Sequence, residues 1–398
     1  MPLAIRLLAL TAALALSAGA LADDIVVTGK SLKDTGAALQ ACLERHCPPD
    51  QDVAASLAHA ENQFVAGDYD GAQRTLHSSL GRNRKHGKTY PIEVSNLLRA
   101  NGRVAEHMGE AKDFQLSTLD MRDTLKDSFG ADDFRTLVAQ IEVGDSRAKL
   151  GYPAEAERIY RNVEQRALRA KQYRVASFAR LRLALIARTQ FDAEPTVANR
   201  RALDEQLTVL IDHPLPDGDE FALAAKVLRA REDRKGGSGS STDELVRQFA
   251  ATGGASRPIL LYSEPLSRID PLQGLAGDQG QQREAWTRWS TNRNRQWMDV
   301  GFWIGADGHV SDAEVLRSSG RVEWSKPVLR NITLRVYAPL RTDADSAPGF
   351  YMVERYTLTA RVTEDATGTH LRTREATPRI EMLSLTPDTV DVPPKPAG

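Results

Sequence analysis

The sequence predicts a multidomain chain: an all-α stack of helical repeats, then a small α+β domain of strand-strand-helix-strand order. Three observations predict it. A glycine-centred phrase recurs at fixed spacing in the first half. A flexible run, Gly236-Gly237-Ser238-Gly239-Ser240-Ser241, then interrupts the chain. Beyond it the hydrophobic periodicity changes from helical to two.

The repeat comes first. Gly67-Asp68-Tyr69 with Ala72, Gly109-Glu110-Ala111 with Phe114, and Gly151-Tyr152-Pro153 with Ala156 stand 42 residues apart. Seven residues before each glycine is another small residue, Ala60, Gly102 and Gly144. Antiparallel helices approach closely only where side chains are small, and a glycine turn lets the chain reverse. Leu76, Thr118 and Tyr160 follow one turn later as packing partners. Val175, Phe178, Leu181 and Leu185 continue the helical spacing. Pro195 opens a further helix and Pro214 and Pro216 close it. Phe221 to Arg231 reads as a charged capping helix.

These residues resemble the tetratricopeptide-repeat family, in the longer 42-residue form of kinesin-light-chain-like repeats. The stretch Leu125 to Leu137, with Gly130-Ala131-Asp132-Asp133, shares that likeness. The resemblance covers about residues 53 to 163. Gln63 and Arg147 depart from it, standing where the family usually has a large aromatic residue. The resemblance implies a protein-binding groove. Its inner face is expected to present Leu57, Glu61 and Phe64, then Asn96, Arg99, Arg103 and Glu106, then Ile141, Asp145 and Lys149. Glu61, Asn96, Arg99, Arg103 and Asp145 are the candidate binding residues. Arg99 and Arg103 lie one turn apart and present two guanidinium groups for a peptide carboxylate.

After the linker, a short helix is expected from Thr242 to Ala251. Met298, Val300, Phe302 and Ile304 then alternate with polar or small residues, as in a half-buried strand. Asp307-Gly308 is a hairpin turn, and His309 to Leu316 is the return strand. Trp324, Val328, Leu329 and Ile332 share a helical face, and Met352, Tyr356, Leu358 and Ala360 alternate again. The run from Val300 to Gly320, the helix Val328 to Leu334, the Tyr337-Ala338-Pro339 step and the last strand to Val362 resemble the C-terminal domain of TonB-type energy transducers. That family's domain binds outer-membrane receptors by adding an extended receptor segment to a sheet edge. The long anchor and proline-rich span of a transducer are missing here.

The start of the chain reads as a secretory signal. Arg6 precedes an apolar run from Leu7 to Ala22 that exits at Ala20-Leu21-Ala22. The expected location is therefore the periplasm, with no stable membrane insertion after cleavage. The segment behind it, Asp23 to Gly29, is short and β-prone at Ile25-Val26-Val27-Thr28. Cys42 and Cys47 are expected to pair as a disulfide in an oxidising compartment.

The expected boundaries are 1–22 for the signal, 23–52 for an N-terminal segment with the Cys pair and 53–235 for the repeats. Residues 236–256 form the linker, 257–365 the α+β domain and 366–398 a proline-rich tail. A formal net charge of −1 argues against nucleic acid as a partner. The eight histidines are scattered without metal-ligand spacing. No P-loop, nucleophile elbow or dinucleotide fingerprint is present, so no metal, cofactor or catalytic residue is expected. The sequence reading is a periplasmic interaction scaffold whose partners are envelope proteins, outer-membrane receptors among them. Its alternatives are a membrane-anchored TonB-like energy transducer and an envelope enzyme without a recognisable motif.

Overall fold

A computed structural model describes residues 31–266, 296–320, 322, 324–341, 349–366 and 372–386. The expected signal segment, residues 1–22, lies outside these.

The first part is helical. Helices α1(Leu32–Glu44), α2(Pro49–Val65), α3(Tyr69–Asn83), α4(Pro91–His107), α5(Ala111–Phe129) and α6(Phe134–Lys149) follow one another. Then come α7(Pro153–Arg169), α8(Tyr173–Ala193), α9(Val197–Asp212), α10(Asp219–Lys235) and α11(Ser240–Ala251). The sequence starts these helices in two ways. Proline occupies the first turn of α2, α4 and α7, where no N–H is needed. Side chains of Ser31, Asp68, Asp133 and Thr196 cap α1, α3, α6 and α9 by accepting a backbone N–H. Each helix packs on the next, and α2 also touches α4, α6 touches α8, and α8 touches α10.

The small residues ahead of the turns differ in what they permit. A Cβ on Gly144 would stand 2.4 Å from the Tyr160 ring, so α6 and α7 meet there without room for a side chain. At Gly102 the nearest atom would be 3.5 Å away, an ordinary contact. Cys42 and Cys47 stand at disulfide distance across the α1–α2 turn, with Cα atoms 5.2 Å apart.

The second part is a small antiparallel sheet region. It contains β1(Leu260–Tyr262), β2(Gln296–Gly305), β3(Val310–Ser318), α12(Ser325–Thr333), β4(Val336–Tyr337), β5(Gly349–Ala366) and β6(Arg372–Ser384). The four long strands run in the order β3-β2-β5-β6, and β1 pairs with β4 separately. Gly308, at φ +82°, closes the β2–β3 hairpin where the Asp307-Gly308 pair was expected to turn.

Alternation then sorts the sheet's two faces. Met298, Val300, Phe302 and Ile304 of β2 join Tyr356 and Leu358 of β5 in a core closed by Trp324, Val328 and Ile332. Trp297, Asp299, Arg355, Thr357, Arg379 and Glu381 take the other positions along β2, β5 and β6.

One expected boundary moves. β6 lies inside the stretch read as a proline-rich tail from residue 366, and pairs with β5 from Glu354↔Ser384 to Ala366↔Arg372. Charged residues and Pro378 hide this strand in the sequence. An edge strand tolerates a proline, because one side of its backbone needs no donor. Residues 387–398 of the expected tail lie outside the described residues.

Candidate functional site

The sheet face that carries Asp299, Arg355 and Thr357 is not solvated. It is seated on the C-terminal ends of α2, α4 and α6. The last carbonyls of a helix lack intrahelical partners and carry the negative end of its dipole, so cations suit them. Arg355 donates to the carbonyls of Phe64 (3.0 Å) and Val65 (2.6 Å) at the end of α2. Arg317 of β3 also donates to Val65, at 2.8 Å. Arg379 of β6 donates to the carbonyl of Glu106 near the end of α4, at 3.0 Å. Asp299 lies between Arg355 and Arg317 and pairs with both.

Aromatic packing reinforces this seat. The guanidinium of Arg355 lies 4.0 Å from the centroid of the Trp297 ring. That ring fills the space at Gly67, where any Cβ would come within 2.4 Å of it. Gly67 also has φ +85°, so its backbone favours glycine for a second reason. Phe64 contacts Tyr69 and His107, with ring centroids 4.6 and 5.1 Å apart. Thr357 bridges the two parts, 2.8 Å from the Tyr69 hydroxyl and 3.2 Å from His107 Nδ1.

Several titratable groups are shut in here. Burial pushes the His107 pKa down to about 3, and Lys149, Arg379 and Arg355 add to that against Glu106. Burial raises Glu106, but Lys149 and Arg379 outweigh it and hold the carboxyl below its usual range. Glu381 is raised by burial in spite of Arg379, which it meets at 3.0 Å. Each acid of the seat thus faces at least one base, as buried charge requires.

A second anchor joins the parts near the C-terminal end of α10. Arg231 of α10, fully buried, donates to the carbonyls of Leu260 (2.7 Å) and Leu261 (3.0 Å) in β1. Within the sheet region, Arg335 pairs with Glu354 at 2.9 Å and donates to the Tyr356 hydroxyl at 2.8 Å.

The five residues expected in the groove lie one to three turns below the seat, and each meets a charged or polar neighbour. Arg99 makes a forked contact with Glu142, at 3.0 Å, while Asn96 accepts from the same guanidinium at 2.8 Å. Asp145 accepts from Tyr160 (2.7 Å) and from Arg182 (2.8 Å). Burial pushes the Glu61 pKa up to about 8, with Arg103 opposing. The ion pairs Arg99–Glu142, Asp145–Arg182, Glu106–Lys149 and Arg188–Glu232 each link a helix to the one two places on. The carboxylate that Arg99 grips is therefore one of the chain's own.

Of the wider inner face, Phe64, Glu106 and Lys149 lie at the seat. Sequence reasoning missed Asp299, Arg317, Arg355, Arg379 and Glu381. Asp299 and Arg355 fell at the alternate positions of strands expected to be half-buried, Arg317 just beyond the expected return strand, and Arg379 and Glu381 in the expected tail.

β3 and β6 are the two edge strands of the sheet. Arg379 ties β6 to the end of α4. The outer side of β3 has no strand beside it among the described residues. Leu316 on β3 is 45% exposed. No group of three or more His, Cys, Asp or Glu side chains able to hold a metal occurs among the described residues. No helix among them is long and apolar enough to cross a membrane. No family model, curated protein or solved structure matches the chain.

Proposed function

We propose that the chain is an interaction scaffold of the cell envelope, in which tetratricopeptide-like repeats carry a TonB-like sheet and offer its free edge to an extended segment of an envelope protein. The single observation that carries this reading is the β3 edge. One face of the sheet is buried against the chain itself, while β3 has no strand beside it among the described residues and bears an exposed leucine. An open edge supplies a row of main-chain donors and acceptors, and side chains beside it select the sequence that adds. In this reading the groove residues Glu61, Asn96, Arg99, Arg103 and Asp145 stiffen the repeat stack through their pairs. The signal-like start directs the chain to the periplasm, and outer-membrane receptors are among the candidate partners. No catalytic step is assigned.

The test is site-specific photo-crosslinking in living cells, with the photoreactive residue at Leu316 and, as control, at Val209 on α9. A discrete adduct with an envelope protein from Leu316 and none from Val209 is expected. Equal labelling from both positions, or none from Leu316, would overturn the reading.

A further inference from the structure

The pairing of β2 with β3 is interrupted twice, between Asp299 and Val300 and between Gly301 and Trp303. Only Val300↔Val315 and Gly301↔Glu314 stay in even register between the two shifts. Such an edge is a poor template for a long ladder, so selection of a partner falls to side chains. The first shift leaves Leu316 with no opposite residue, between Val300↔Val315 and Asp299↔Arg317. A bulge of this kind re-aims a side chain. Leu316 is aimed over Gly301, where a Cβ would stand 3.0 Å from its Cδ1 and 2.0 Å from the Tyr351 hydroxyl.

Gly301 thus floors a notch walled by β2, β3 and β5. It stands two residues past Asp299 on the same face of β2, about 7 Å beyond the seat. Tyr351 lies across it, with its ring centroid 5.1 Å from that of Trp303. Leu316 is exposed, Tyr351 half-buried and Trp303 buried. One carboxylate rims the notch. Glu314 is exposed and makes no ion pair among the described residues. Its charge reaches Tyr351, where it adds to burial in raising the phenol's pKa. Arg317 does not neutralise it, being held by Asp299 and the Val65 carbonyl. A ring beside an unmatched carboxylate attracts a cation, and an exposed leucine attracts an apolar group next to that cation.

We propose that this notch takes a lysine or arginine side chain, flanked by an apolar residue, from the extended segment that docks at β3. The proposal rests on the reading of β3 as the partner edge and gives that edge its sequence preference. The cation lies on the Tyr351 ring and pairs with Glu314, and the apolar neighbour covers Leu316.

The experiment is the crosslink in living cells with a leucine-shaped diazirine at position 316. It is run in the full chain and in its Glu314→Lys and Glu205→Lys variants. Both carboxylates are exposed, and unchanged circular dichroism confirms that the variants fold. Glu314→Lys should lower the yield of the envelope adduct about tenfold, by setting like charges against each other. Glu205→Lys, on α9, makes the same change in net charge and should leave the yield unchanged. Mass spectrometry should place a lysine or arginine of the partner within about two residues of the attachment point, the reach of neighbouring strand positions. Equal yields from the wild type and Glu314→Lys, or attachment to a segment without that basic residue, would remove the notch and keep β3 as the partner edge. An equal fall in Glu205→Lys would overturn the proposal too, by reducing the effect to net charge. An adduct of twice the chain's mass would overturn it by making the occupant a second copy. No adduct from the wild type would remove both readings.

Discussion

The two faces of the four-stranded sheet are built from the same strands, residue by residue in alternation, and are held by opposite means. Phe302, Val300 and Tyr356 face α12 and form an apolar core. Asp299, Arg355 and Thr357 face the helical part and meet carbonyls, a hydroxyl and an imidazole. Both faces are buried. An apolar face accepts any partner of suitable shape. A buried charged face accepts only a partner whose polar groups match it, since an unmatched buried charge costs several kcal/mol. The first face stabilises the domain, and the second fixes where the domain sits.

The largest effects should come from breaking one face at a time. Arg355→Ala leaves the Asp299 carboxylate and the Phe64 and Val65 carbonyls without their main donor. A loss of about 3–5 kcal/mol is expected. Phe302→Ala should cost a similar amount, about 3–5 kcal/mol, through a cavity. The two variants should differ in kind. Arg355→Ala should release the sheet region as a folded unit, seen as proteolytic cleavage in residues 236–256 that leaves a resistant C-terminal fragment. Phe302→Ala should unfold the sheet region while α1–α10 keep their circular dichroism. The same digestion pattern from both would erase the distinction.

A pH series sharpens the comparison, because the polar face holds a buried histidine. The folded pKa of His107 is pushed down to about 3 from its ordinary 6.5, so the unfolded chain binds the proton more readily. Stability from this group is complete above pH 6.5 and is lost as the pH falls from there toward 3. Glu61, below the seat, has the opposite sign. Its pKa is raised from 4.5 to about 8, so its contribution is complete below pH 4.5 and is lost as the pH rises toward 8. Urea midpoints measured from pH 4 to 8 should respond accordingly. His107→Gln should flatten the acid side of the curve, and Glu61→Gln the neutral side. Unchanged slopes would remove these residues as the source.

The smaller effects test the helical part. Gly144→Leu should lose about 1–3 kcal/mol by overpacking against Tyr160. Gly102→Ala should change the urea midpoint far less, because its Cβ meets only ordinary contacts. Equal losses would mean that closeness at Gly144 has no special weight.

Legibility in the sequence follows the same physics as the two faces. The helical part could be read because Gly67, Gly109 and Gly151 repeat, although the helix expected to open at Pro195 starts at Val197 with Thr196 as its cap. The apolar face could be read because Met298 to Ile304 alternate. β6 was missed because its inward residues, Ile380 and Met382, are separated by charges, and because Pro378 speaks against a central strand. The seat was missed for a deeper reason. Arg355 and Val65 are 290 residues apart. A charged residue in a strand reads as solvated unless its partner is known, and backbone carbonyls have no side-chain signature. Arg99 was expected to meet a peptide carboxylate, whereas its guanidinium meets Glu142 of α6, a partner 43 residues on that spacing alone does not reveal.

The central claim is that the helical part and the sheet form one body through the polar face. A double-mutant cycle across it tests this most directly. Tyr69→Phe and Thr357→Val each remove one side of a 2.8 Å hydrogen bond between residues 288 apart in sequence. Unfolding free energies of the wild type, both single variants and the double variant give their coupling. The seat predicts a coupling of about 0.5–3 kcal/mol, as for residues in contact. Additive losses, with no coupling within error, would contradict it.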